Sequence, residues 1–143
     1  RTNFFGKTNS KNKSFTDWIF RSFKMKKKIY LFNDVYFNPL RIDTIVNIIS
    51  KIVNKKKYNL SGIYNVGAKD ALYKNEFAIF FAKKTGIFHK NYTNIKVNKL
   101  LNVKRSENMY MCINKFERKF NYNLPHIKSE IKKEAKGYLN DGI

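Results

Sequence analysis

Acidic residues are scarce in this chain. Among 143 residues, 30 Lys and Arg face only 10 Asp and Glu, a formal net charge of +20. A balance this basic ordinarily points to nucleic acid or an anionic surface. The excess is nearly all lysine, however, whereas nucleic-acid sites concentrate arginine, whose planar fork matches phosphates and guanine edges. The lysines run from Lys7 to Lys136, and the abundant Lys, Asn, Ile, Phe and Tyr share A/T-rich codons. A solvated lysine surface accounts for the charge, and no nucleic-acid partner is expected. A basic nucleic-acid-binding domain stays a distant alternative, which steep salt dependence would reveal.

Other absences narrow the field further. A single cysteine, Cys112, excludes a disulfide framework, fits a reducing cytoplasm, and beside Met109 and Met111 reads as core packing. No apolar run reaches the length of a membrane span and no signal peptide is recognisable, so a cytoplasmic location without a membrane partner is expected. His89 and His126 have no Cys or carboxylate cluster at metal-ligand spacing, so no metal is expected. No Gly-x-Gly-x-x-Gly or near variant occurs, and with it the fingerprint that seats a dinucleotide pyrophosphate is missing. The chain also lacks an initiator Met. Arg1 to Gly6 reads as the end of a strand and a glycine turn, so sheet partners are expected upstream.

What is present reads as alternating strands and helices. After a polar loop over 7–13, Ser14 and Asp17 form a helix-start pair, with Phe15, Trp18, Ile19 and Phe23 expected on one inward face. Residues 29–32 form a short apolar strand ended by Asn33 and Asp34. From Arg41 the positions Ile42, Ile45, Val46, Ile49, Ile52 and Val53 trace a helical stripe. Residues 62–67 read as a glycine-bounded strand, and 74–84 as a helix with Phe77, Phe80 and Phe81 inward, stopped by Gly86. A short helix over 114–120 precedes a last one with Ile127, Ile131 and Tyr138 on one face. This grammar predicts an α/β fold with a largely parallel sheet, capped by a helical tail.

Four segments taken in order resemble the extended short-chain dehydrogenase/reductase superfamily, and within it the dTDP-4-dehydrorhamnose reductases. They are Arg1-Thr2-Asn3-Phe4-Phe5-Gly6; the loop Phe32 to Pro39 followed by a helix with Asp43; Gly62 to Gly67 followed by Lys74-Asn75-Glu76-Phe77; and Val103 to Asn108 with the helices after it. The resemblance implies the C-terminal part of a Rossmann-type fold with a helical substrate-binding cap. Residues 1–143 would be the substrate-binding portion, with the last Rossmann strands and helices in 1–70 and a mainly helical cap in 71–143. The N-terminal cofactor-binding half would be absent.

The resemblance further implies part of an NADPH-dependent reductase (NADH being the alternative cofactor) acting on a nucleotide-linked 4-keto-6-deoxy sugar, with a dTDP-sugar as substrate and a homodimer as one assembly. The family's catalytic Tyr-x-x-x-Lys helix is expected upstream of Arg1, so no catalytic residue is assigned in this chain and the fragment alone is expected to be inactive. Thr2 and Asn3 would border the nicotinamide. Phe4 and Phe5 would face the substrate, although for Phe4 a plain core position is the competing reading. Lys104 and Arg105 would clamp the diphosphate, or else form one more solvated basic pair. Asp34 would frame the pocket or merely cap a turn. Tyr92-Thr93-Asn94-Ile95-Lys96 matches Tyr-x-x-x-Lys literally, yet sits where no helical stripe exists. Ser106 stands where relatives often carry proline, and Tyr73 where Ser or Thr would cap better. A non-catalytic homologue or regulatory subunit of the same fold, and an NAD-dependent nucleotide-sugar epimerase, are the alternatives. Alone, the +20 chain is expected to aggregate or stay partly unfolded.

Overall fold

A computed structural model describes residues 1–9, 11–54, 61–101 and 103–140. In chain order the elements are β1 (Phe4–Phe5), α1 (Phe15–Lys24), β2 (Ile29–Phe32), β3 (Tyr36–Phe37), β4 (Leu40–Arg41), α2 (Ile42–Val53), β5 (Leu72–Tyr73), α3 (Lys74–Lys84), β6 (Tyr92–Ile95), α4 (Val97–Leu100), β7 (Asn108–Met109), α5 (Asn114–Phe120) and α6 (Ile127–Asn140).

Local chemistry accounts for most boundaries. The Ser14 hydroxyl accepts from the Asp17 N–H while the Asp17 carboxylate accepts from the Ser14 N–H, a complete capping box for α1. Helix α3 starts with a tyrosine at its N-cap, and its neighbours compensate. Glu76 reaches back to the Tyr73 N–H at 2.9 Å, and the Asn75 side chain takes the Glu76 N–H at 2.8 Å. Helix α6 is capped from a distance, its Ile127 N–H donating to Asp70 at 2.7 Å.

The strands pair in three small sheets. β1 runs parallel to β4, β2 runs parallel to β6, and β3 lies between antiparallel β5 and parallel β7. Expected as a strand, residues 62–67 contribute only a parallel bridge between Thr2 and Val66, because Arg1 and Thr2 alone pair with them among the described residues. Strand β6 falls in a stretch with no legible pattern. There Tyr92 and Lys96 are strand and strand-end residues, so they cannot share a helical face.

Helix α3 packs between α1 and α6. Phe77 and Phe81 are fully buried at its centre; Phe77 meets Phe5 edge-on at 4.9 Å, and Phe81 meets Tyr138 at 5.2 Å. Each such side chain removed from water contributes roughly 1.5–3 kcal/mol. Since β2 pairs with β6 and α1 packs on α3, residues 1–70 and 71–143 share this core. Five side chains depart from expectation. Trp18 is 40% exposed, because α1 buries the side carrying Ile19 and Phe23 and leaves Trp18 at its edge. Along α2, Ile45 and Ile48 are buried while Val46, Ile49 and Val53 face outward. Cys112 is exposed rather than in the core, since the turn after β7 sends the chain inward only at Ile113.

Candidate functional site

Strand β1 carries its neighbours to one cleft. Thr2, Asn3, Phe4 and Phe5 meet Phe15, Phe37, Pro39, Lys74 and Met109 around a hollow of about 340 Å³. Backbone pairing sets its walls: the Leu40 N–H donates to the Asn3 carbonyl at 3.0 Å, and the Asn3 side-chain amide donates to the Met109 carbonyl at 3.0 Å. The hydroxyl of Thr2 donates to the Asn3 carbonyl at 3.2 Å.

One buried amide fastens the cleft from behind. Asn38, fully buried, donates to the carbonyls of Ala68 and Met111 at 2.9 and 3.0 Å and accepts from the Met111 N–H at 2.9 Å. It ties the β3–β4 turn to the segments after Val66 and after β7. Burial makes each unmet bond costly, so a satisfied amide specifies the arrangement. Gly67 permits this approach, since a Cβ there would lie 2.8 Å from the Asn38 carbonyl oxygen.

The proposed site residues fall into two groups. Thr2, Asn3 and Phe4 line the cleft, and Phe4 is 64% exposed, which rules out a core position. Phe5 forms the cleft floor but is only 3% exposed and packs against Phe77, so little of its ring is open to a ligand. Lys104 and Arg105 sit on the exposed loop before β7 and line neither this hollow nor the next. Arg105 is nonetheless positioned, its N–H donating to the Asn98 side chain at 3.0 Å. Asp34 caps α4, accepting the Val97 N–H at 3.0 Å, and does not face the cleft.

Lys74, which sequence reasoning passed over except as a helix start, joins two hollows. It lines the cleft, and it also lines an adjoining one of about 240 Å³ formed with Phe15, Trp18, Tyr30, Leu31 and Phe32. Its ammonium lies 5.8 Å from the ring centres of both Phe15 and Phe37. Burial, and then the positive charge of Arg105, hold its pKa below the usual lysine value. A signal was present in the sequence: a lysine opening a helix runs against the helix dipole.

Another hollow, about 490 Å³, lies between the 7–9 segment, α1 and α6. At its base Tyr138 donates to Asp17 at 2.6 Å. Burial pushes the Asp17 carboxyl up, but bonds from Tyr138, Ser14 and Thr8 outweigh it and hold the pKa below the usual range. Burial and the adjacent Asp17 push the Tyr138 phenol up. Burial also raises Glu134, opposed by the Lys7 N–H and by Arg41. These groups answer one another and hold α6 to α1. No group of His, Cys, Asp and Glu among the described residues could hold a metal, and no described helix is long and apolar enough to cross a membrane.

Comparison with known proteins matches the chain to a family. The model of a family described as RmlD substrate binding domain matches residues 2–139. A dTDP-4-dehydrorhamnose reductase from Bacillus anthracis, solved in complex with NADP, superposes with a TM-score of 0.78 at 17% identity, covering 94% of this chain and 46% of that one. A dTDP-glucose 4,6-dehydratase from the same organism, in complex with NAD, gives 0.74 at 12% identity, with 98% and 43% covered. A UDP-glucose 4-epimerase from Thermotoga maritima, with UDP-glucose, gives 0.70 at 10% identity, with 98% and 44% covered. The chain thus has the Rossmann-like extended fold of these structures and spans less than half the length of each. No curated protein matches it by sequence.

Proposed function

The chain belongs to the RmlD substrate binding domain family, and we propose that its cleft is the substrate site of a longer, cytoplasmic, NADPH-dependent reductase of a dTDP-linked 4-keto-6-deoxy sugar that serves polysaccharide synthesis. The observation that carries the reading is the cleft itself, an open hollow that β1 and the two residues leading into it share with Phe15, Phe37, Pro39, Lys74 and Met109. Residues 1–70 would contribute the last Rossmann strands and helices, and 71–143 the cap.

Thr2 and Asn3 form a rim suited to the edge of a nicotinamide, but their side chains are already bonded within the chain and offer no cradle for a dinucleotide pyrophosphate. The cofactor, supplying hydride, would therefore be held mainly by residues outside this chain. Phe4 offers an exposed ring to the hexose, a surface on which sugar C–H faces stack. Arg105, with Lys104 beside it, would meet the diphosphate. The adjoining hollow, walled by Trp18, Tyr30 and Phe32, has the flat apolar sides that a base requires.

The only tryptophan, Trp18, lines that hollow and reports on it. Titration with dTDP-rhamnose should change its fluorescence saturably, and Phe4→Ala should weaken binding roughly three- to tenfold, the worth of one aromatic contact. Equal affinity for UDP-glucose would favour the epimerase reading. No saturable change with either nucleotide sugar would sink the substrate-site reading.

A further inference from the structure

The geometry points to Lys74, at the junction of the two hollows, as the anchor for a phosphate group in this cleft, with Arg105 on the exposed loop before β7 as the second cation of a clamp. The inference rests on the reading of the cleft as a nucleotide-sugar site and adds a residue to it, together with the charge that the site selects.

The argument starts from what surrounds the ammonium. Lys74 is half-buried, and no carboxylate partners it among the described residues. The acid nearest in sequence, Glu76, is committed to the Tyr73 N–H. In place of a counter-charge Lys74 has the faces of Phe15 and Phe37, which stabilise a cation weakly and leave its donors unused. Arg105 lies on the loop that leads into β7, and β7 and the strand β5 that leads into Lys74 both pair with β3, which brings the two segments to one sheet; its charge acts on Lys74. A half-buried cation with no counter-charge is disfavoured by a second positive charge, and an anion that reaches both relieves that repulsion and is attracted by each. The backbone fixes this position on both sides: the Lys74 N–H donates to the Val35 carbonyl at 3.0 Å, and Arg105 is tied to Asn98. The hollow with Thr2, Asn3 and Phe4 opens on one side of Lys74 and the hollow with Trp18 and Tyr30 on the other. A ligand with an anionic middle and two uncharged ends matches that layout, which is the form of a sugar nucleotide.

Calorimetric titration of the 143-residue chain with thymidine diphosphate and with thymidine tests this directly. The diphosphate should bind at least tenfold more tightly than the nucleoside, as charge-assisted bonds require. Lys74→Met, which keeps the stem packed between the rings, should erase most of that difference, while Lys74→Arg should restore it. Lys83→Met, the same loss of charge at the far end of α3, should change neither affinity. If Lys74→Met binds thymidine diphosphate as the unaltered chain does, Lys74 is a packing residue and the clamp is wrong, while the substrate-site reading survives. If the unaltered chain binds dTDP-rhamnose but shows no preference for diphosphate over nucleoside, the clamp is equally wrong. If the chain, shown folded by circular dichroism in the same buffer, binds neither nucleotide nor nucleotide sugar, both readings fall together.

Discussion

Helices α2 and α6 carry apolar stripes of similar length, and the protein treats them oppositely. On α6, Ile127, Ile131, Ala135 and Tyr138 are all at most 5% exposed. On α2, Ile45 and Ile48 are buried, while Val46, Ile49 and Val53 remain 56, 56 and 62% exposed. The difference is one of position. Helix α6 lies against α3 and β4 and closes the core, whereas α2 packs on the β1–β4 pair and leaves Val46, Ile49 and Val53 open. A stripe at helical spacing encodes that a face wants burial, not what will bury it. The outward face of α2 fits the proposal that this chain works as part of a longer protein, as does its span of under half of the matched structures.

The largest expected effect comes from emptying the buried side of that comparison. Ile131→Ala removes a fully buried side chain from α6 and should cost about 2–5 kcal/mol in urea unfolding, through lost burial and the cavity left behind. Ile49→Ala on α2, the same chemical change on a half-open face, should cost less than about 1 kcal/mol. Comparable losses at the two positions would mean that the outer face of α2 is covered in solution.

A smaller effect should come from the polar contact that holds α6 to α1. Tyr138→Phe deletes the bond to Asp17 and should destabilise the protein by about 1–3 kcal/mol at neutral pH. The sign with pH follows from Asp17, whose folded-state pKa is depressed: the ionised carboxylate stabilises the fold above its unfolded pKa, and that contribution is lost as pH falls through the folded value. The gap between the unaltered chain and Tyr138→Phe should therefore narrow as acid is added below the ordinary aspartate range. A gap independent of pH down to full carboxyl protonation would show that the bond does not depend on the charge of Asp17.

How much of this was legible depended on the reach of each interaction. The capping box at Ser14 and Asp17 spans three residues, and α3 was readable from Lys74 to Lys84. Strand β6 was not: its middle residues Thr93 and Asn94 face solvent, and its pairing with β2 lies about sixty residues away in sequence. The same limit hid Asn38, an ordinary polar loop residue until its bonds to Ala68 and Met111, 30 and 73 residues away, are seen. At the cleft, Thr2, Asn3 and Phe4 were singled out by family resemblance and do line it, because motif order survives where identity does not. Lys74 was lost among other lysines; burial distinguishes it, and burial is a tertiary property.

The smallest change in stability, and the sharpest test of the comparison, belongs to the outer face of α2. Val46→Gln with Ile49→Gln replaces two half-open β-branched residues by unbranched polar ones that favour helix slightly, so stability should shift by less than about 0.5 kcal/mol. The net charge is untouched, which matters at +20, because any change in association must then come from the apolar surface and not from altered repulsion. Light scattering should show the unaltered chain associating, despite its self-repulsion, and the double variant doing so markedly less. A sharp, cooperative thermal transition of a monodisperse unaltered chain would overturn the expectation that it needs a further partner, and the exposed stripe would then be a tolerated surface. Association that persists undiminished in the double variant would place the adhesive surface elsewhere, with the ends of β1 and β4 the next to alter.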